Sequence, residues 1–526
     1  MTSTIGVYKG NNKGESGTSA LVQIVIVLAV VAGGLFGYWK YTSEQKRVAD
    51  LAVKAKEATE GDDSTALLKA KKLFEEIGPE EKLIADDSIL VALAELESQL
   101  YQTYGVASSK DKAEKYVSLA KDRDVRKAER YAADAYLLLG QGRAAEAEQV
   151  ITALTDKGVR HAKLLHALSV AKLAQGKAKE AVLAAQEGQK LSTQLVRLPI
   201  AEGDALMALG NFPSALGAYQ KATKLNSQHL RARTAISILA AVSRVGKPEL
   251  LIKEMDRLLD EAGQLHGGAA PPRVNGFIEY GKGEIYLVDN KAQQALELAD
   301  KSLQTDPGQA ATLALKGRAL AKLNKLDDAK KAFDEALTIA PSSLPIGKAA
   351  ALVLQRAGKE QDALAYLQKV QAANPDNGMA WVELSLAQSR SNKAKDALKS
   401  ADTALEKLGN AHDMAVFAKA RALQADGQLD KARETYSEAL SYHGNPEWAE
   451  LYYQMGALRA AEKNWEEAAQ LFQQAIKFWD KQGGAIDDVA DAWDATGKAY
   501  QGMGGKKAKQ SGEFFEKAEN LRKGKV

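Results

Sequence analysis

Metal ligation, nucleophilic catalysis and phosphate binding each need particular side chains at particular spacings, and this chain of 526 residues offers few of them. Its six histidines, His161, His166, His229, His266, His412 and His443, are scattered. His161 and His166 are the nearest pair, and five apart does not make a helical ligand pair. With no cysteine, disulfides, thiolate zinc sites and cysteine nucleophiles are excluded. There is no Gly-x-Ser-x-Gly elbow. Gly281-Lys282-Gly283 lacks the third glycine of a dinucleotide loop and a preceding strand, and Gly502 to Lys507 lacks both the first glycine of a phosphate loop and the Ser/Thr after its lysine. The carboxylate pairs Asp327-Asp328 and Glu466-Glu467 fall at expected helix starts, where the helix dipole favours negative charge. The expectation is a protein that is not an enzyme, with no cofactor, no metal and no small-molecule substrate.

What must position any functional residue is a repeated pattern. Gly317, Ala329, Phe333, Ala336 and Pro341 form one copy; a slide of 34 gives Gly283, Ala295, Ala299, Ser302 and Pro307, or Ala351, Ala363, Leu367, Val370 and Pro375. The same ruler places Ala113, Ala147, Ala181 and Ala215 upstream and Ala397 downstream, and slightly longer steps of 35 and 36 then place Ala432 and Ala468. Gly142, Gly176, Gly210, Asn290, Asn324 and Gly358 stand five residues before an alanine, residue types that accept the left-handed conformation closing a helix. Small residues suit close helix approach, Phe333 and Leu367 fill the gap between units, and the prolines end each pair. A fixed period of this size marks a stacked repeat. The 45% hydrophobic content and net charge of +3 argue for folded helix and against a nucleic-acid footprint.

These copies resemble tetratricopeptide repeats, helix-turn-helix units of 34 residues. The resemblance implies an all-α superhelical solenoid of about 11 to 13 units, which binds partner proteins in a concave groove lined by the first helix of each unit. Carried onto this sequence, the groove places are held by Ala314, Arg318 and Lys322, then Arg356, then Val382 and Arg390, then Phe417 and Arg421, with Tyr280 and Tyr453 nearby. Arginine or lysine on four successive units would suit an acidic or extended protein segment, because guanidinium forks bind carboxylates bidentately. The asparagines of the family's carboxylate clamp are absent here. The alternative is a solvated basic face paired with neighbouring Glu or Asp.

Along the chain, residues 1–18 read as a flexible tail. Residues 19–39 carry no charge and are almost continuously apolar, which predicts one transmembrane helix, with Tyr38, Trp39, Lys40 and Tyr41 as an interfacial belt. A cleaved signal peptide is the competing reading, disfavoured by the length of the run. Residues 40–90 form an irregular helical lead-in, 91–262 an N-terminal repeat block, 263–276 a loop or hinge containing Pro271-Pro272, and 277–526 a C-terminal block with a basic capping helix. The flanking lysines and arginines favour repeats in the cytoplasm. The segment Gly37 to Gln45 instead resembles the junction of the ancillary subunit of the bacterial secretion translocon, whose repeats are periplasmic, and the periplasmic side is the one expected. The resulting expectation is a single-pass scaffold of the bacterial inner membrane, serving secretion, pilus, motility or outer-membrane biogenesis. A chaperone-like adaptor at the translocon and a regulatory repeat domain facing the cytoplasm are the alternatives. Repeats fill almost everything after residue 90, leaving no room for an appended catalytic module.

Overall fold

The computed structural model describes residues 17–523 apart from 61–62, 210, 244, 269 and 483–485; the side chains of 17–24, 27, 30, 60 and 482 are likewise outside the described set. Every regular element among the described residues is a helix. The long α1 (Gly17–Glu60) leads into α2 (Ser64–Ile77) and the single turn α3 (Glu80–Leu83). Twelve helix pairs follow. The first six are α4 (Asp87–Tyr104) with α5 (Ser109–Asp122), α6 (Ala128–Gly140) with α7 (Ala144–Thr155), α8 (Ala162–Ala174) with α9 (Ala178–Leu191), α10 (Arg197–Ala208) with α11 (Phe212–Leu225), α12 (Leu230–Val242) with α13 (Pro248–Leu265), and α14 (Pro272–Val288) with α15 (Ala292–Thr305). The remaining six are α16 (Ala310–Lys322) with α17 (Leu326–Ile339), α18 (Leu344–Arg356) with α19 (Glu360–Ala373), α20 (Gly378–Arg390) with α21 (Ala394–Leu408), α22 (Asp413–Ala425) with α23 (Leu429–His443), α24 (Ala449–Ala461) with α25 (Trp465–Gln482), and α26 (Ile486–Met503) with α27 (Gly505–Arg522).

One unit shows why these sequences pair. Ala329, Ala332, Phe333 and Ala336 bury one stripe of α17, while Asp327, Asp328, Lys331 and Glu335 stay outside. Phe333 lies over Gly317 so closely that a Cβ there would come 2.9 Å from the ring. Its edge also meets Tyr366 of the next unit, with ring centroids 6.4 Å apart, so Phe333 fills a space within its own unit as well as the expected gap between units. Gly456 beneath Phe472 and Gly203 beneath Tyr219 repeat the arrangement. Between the two helices the chain reverses through one left-handed residue: Gly142, Gly176, Asn290, Asn324, Gly358, Asn392 and Gly427 all have φ between 57° and 78°. Lys463 takes the same conformation, with φ 62°, although it is neither glycine nor asparagine.

The segment 263–276 differs from the loop expected there. α13 continues to Leu265 and α14 begins at Pro272, because Pro271 caps the helix and Pro272 is its first residue, the one helical place where a missing N–H is harmless. The preceding pair is irregular for another reason. Leu250, at the alanine place, is 61% exposed, and Met255, Leu258 and Ala262 supply the buried stripe of a longer helix.

The spiral closes on itself. Asn226 Nδ2 donates to Asp63 Oδ2 at 2.7 Å, His266 Nε2 lies 2.9 Å from Ser64 Oγ, and Arg273 donates to the Gln102 carbonyl. The chain from the end of α11 to the start of α14 thus rests on α2 and α4. One layer later, a Cβ at Gly176 would lie 2.7 Å from Ser342 Oγ, so the α8–α9 turn meets the α17–α18 connection.

The expected membrane span, 19–39, falls within α1 and partly outside the described side chains. Among the described residues no helix is long and apolar enough to cross a membrane. The described part of the apolar run starts at Val25, and Lys40, Glu44, Lys46 and Arg47 follow it. The tail over 1–16 lies outside the described residues. Farther along, Val48, Leu51, Ala52 and Ala55 of α1 pack into the first core.

Two substitutions test this packing by denaturant unfolding. Gly317→Ala forces the added methyl against Phe333 and is expected to destabilise by about 1–3 kcal/mol. Lys463→Asn relieves left-handed strain and is expected to stabilise by about 0.5–1 kcal/mol; no gain would mean that the turn is set by something other than φ.

Candidate partner-binding groove

The sequence-predicted residues are not one free ladder. Arg318 on α16 is half-buried and salt-bridged to Glu284 of the preceding unit, and burial together with that carboxylate pushes the neighbouring Tyr280 hydroxyl far above its ordinary value. Lys322 Nζ donates to Asn290 Oδ1 at 3.0 Å. Arg390 Nη1 donates to Gln355 Oε1 at 3.1 Å, again one unit back, while Arg421 Nη1 bonds Gln424 at 3.2 Å. Arg356 reaches across to α26, with Nη1 2.8 Å from Asp487 Oδ2 and Nη2 3.6 Å from Asp488 Oδ1. Phe417, expected in the groove, is buried in the core against Tyr436 and Trp448, because α22 packs a broad apolar face on both neighbours. Tyr453 packs on Phe472 and Trp479, and burial, with Asp491 and Glu450 nearby, raises its hydroxyl to about 12. The basic positions therefore mostly tie units together.

Arg318, Lys322 and Arg356 are nevertheless brought to one trough, a cavity of about 1530 Å³ between the α8–α11 turns and the helices from α14 to α21. Its apolar wall includes Met207, Leu209, Phe212, Leu344, Pro345, Leu352 and Met379; Leu352 remains 43% exposed. The lining holds seven basic and four acidic side chains. Sequence reasoning missed Lys177, Lys179, Lys348 and Lys407 here. Lys177 and Lys179 sit just after a repeat turn, and only the contact between successive spiral turns carries them to this wall. Lys179 makes no ion pair among the described residues, whereas Lys348 meets Glu383 at 2.5 Å and Lys407 meets Asp376 at 2.6 Å. Small-molecule sites occupy about 300–1,000 Å³, so this trough has the dimensions of a protein segment.

A second space of about 400 Å³ lies inside the first spiral turn. Beside it, Glu95 is fully buried between Lys163 at 2.9 Å and Arg197 at 3.2 Å, joining α4, α8 and α10. Burial alone would raise the Glu95 carboxyl, but the two cations hold it below its ordinary value. His166 is buried 2.8 Å from the Tyr136 hydroxyl, and burial followed by the Arg197 charge depresses its basicity well below 6.5. Among the described residues no group of three or more His, Cys, Asp and Glu could hold a metal ion.

The family model for the tetratricopeptide repeat matches residues 200–243, 280–343, 348–412 and 417–483. Those stretches are similar to tetratricopeptide repeats. A TPR repeat-containing protein of Pseudomonas aeruginosa is 34% identical over 93 residues, which are 18% of this chain. The chain spans only 16% of that relative's length. Among solved structures, the APC/C hetero-tetramer Cut9-Hcn1 is 14% identical, covering 82% of this chain and 87% of the other with a TM-score of 0.36. MamA is 18% identical, covering 32% and 92%, with a TM-score of 0.26. Helix pairs outside the matched stretches, such as α6 with α7, keep the same left-handed turn, at Gly142.

Removing the Glu95 charge leaves two buried cations facing each other, so Glu95→Gln is expected to destabilise by about 3–5 kcal/mol. Because His166 stays neutral in the fold and takes a proton near 6.5 when unfolded, stability is full above 6.5 and falls as pH drops below it, by up to about 1.4 kcal/mol per pH unit. His166→Gln should flatten that part of the denaturation profile between pH 6.5 and 5; an unchanged slope would contradict the assignment.

Proposed function

We propose that this chain is a non-catalytic scaffold or adaptor that holds partner proteins in the trough between successive turns of its TPR spiral. The observation that carries the reading is the trough itself: an exposed Leu352 and the part-buried Met207 and Met379 beside an excess of basic side chains, on a scale suited to a polypeptide. Apolar side chains supply affinity in such a groove and charge sets register and specificity. The partner chemistry that fits is an amphipathic or extended segment with acidic residues, recognised at Lys177, Lys179, Lys348 and the Arg356 rim.

In this reading residues 19–39 anchor the chain in the bacterial inner membrane, with the repeats in the periplasm as part of an envelope assembly. Supporting the anchor, Val25, Ile26, Leu28, Val31, Leu35 and Phe36 of α1 are all at least half exposed, beside Tyr38, Trp39 and Tyr41. A helix exposing that much apolar surface needs a nonpolar surrounding.

Charge reversal at Lys179 and Lys348 should lower recovery of partners crosslinked in native membranes by roughly two- to thirty-fold, at about 0.2–1 kcal/mol for each lost charge contact, while Lys523→Glu outside the trough should not. Unchanged recovery from the trough variant would remove the groove from the account. Deleting 19–39 should release the chain from membranes, and a reporter active only in the periplasm, fused after Val526, should be active.

A further inference from the structure

We propose that Asp487 and Asp488 occupy Arg356 as an internal stand-in for partner carboxylates, closing one mouth of the trough until an acidic segment displaces them. This rests on the trough being the partner surface. Most interunit ties in the C-terminal half reach the adjacent unit, as Arg318 does to Glu284 and Arg390 to Gln355. Arg356 instead reaches four units along, from the end of α18 to the start of α26. Arg356 and Asp487 both line the trough, so their bridge stands across it.

The geometry is the one a partner would present: one guanidinium with its two Nη atoms directed at two adjacent carboxylates. Arg356 is 42% exposed and the aspartates 47% and 45%, unlike the buried Glu95 network. An exposed bridge is screened by salt and exchanges readily for another carboxylate. A segment carrying adjacent acidic residues would thus replace α26 at Arg356 without exposing a buried charge.

The absence of cysteine permits a direct test, because Leu352→Cys places a single thiol in the trough. Adding Asp487→Asn and Asp488→Asn should raise its rate of labelling by a bulky maleimide roughly two- to five-fold, the factor an exposed ion pair supplies. Arg356→Gln should do the same, and salt should accelerate labelling only where the bridge is intact. A synthetic peptide of residues 486–494 should bind the double-asparagine chain several-fold more tightly than the native chain, and bind the Arg356→Gln chain weakly. Equal labelling rates, or equal peptide affinity for native and double-asparagine chains, would overturn the proposal. Faster labelling with peptide binding to neither chain would overturn displacement, whereas the partner reading of the trough falls only if partner recovery is unchanged in the Lys179 and Lys348 variant.

Discussion

The spiral depends on how closely two helices can approach within one unit. Gly203, Gly317 and Gly456 each lie beneath an aromatic ring sixteen residues later, and no larger residue fits without displacing that ring. A left-handed residue then returns the chain at a set angle, so each pair repeats the geometry of the one before. Because every pair leaves one apolar face open, the next pair must cover it, and the core grows as a chain of linked clusters. The last unit bends the rule: Gly497 meets Phe515, eighteen residues on, after a turn made by Gly504 and Gly505, both left-handed.

Repetition of near-identical pairs generates curvature, and curvature generates the trough. Once the spiral has wound far enough for α13 and α14 to touch α2 and α4, successive turns face each other across a trough. Its walls come from parts of the chain far apart in sequence. Charges therefore divide into two kinds. Those inside the first turn, Glu95 with Lys163 and Arg197, are desolvated and fix the winding. At the trough, Arg318 is tied to a buried Glu284, whereas Arg356 and Asp487 are both exposed and exchangeable.

Much of the architecture was legible in the sequence because it is local. The alanine ruler, the residue five before each alanine and the prolines after each pair all act over one unit, and the helices and turns fall where those residues lead. The error at Pro271-Pro272 came from reading proline as a breaker, where its position at a helix start decides the outcome. The site was less legible. Arg318 and Arg390 occupy the inner-face positions the repeat implies, yet their partners sit one unit back, and no single-unit pattern reveals that pairing. Phe417 was misplaced because an aromatic residue at a first-helix position can turn to the trough or to the core, and Tyr436 and Trp448 draw it inward. Lys179 was missed because its place in the same trough as Leu352 arises only from the contact between spiral turns.

The most direct test of the central claim is photo-crosslinking from single positions of the full-length chain in its native cells. A benzophenone side chain at Leu352, inside the trough, should yield discrete crosslinked partner bands, whereas the same group at Leu183, 65% exposed and outside the trough, should not. Bands of equal intensity from both positions, or from Leu183 alone, would contradict the claim that partners are held between the turns.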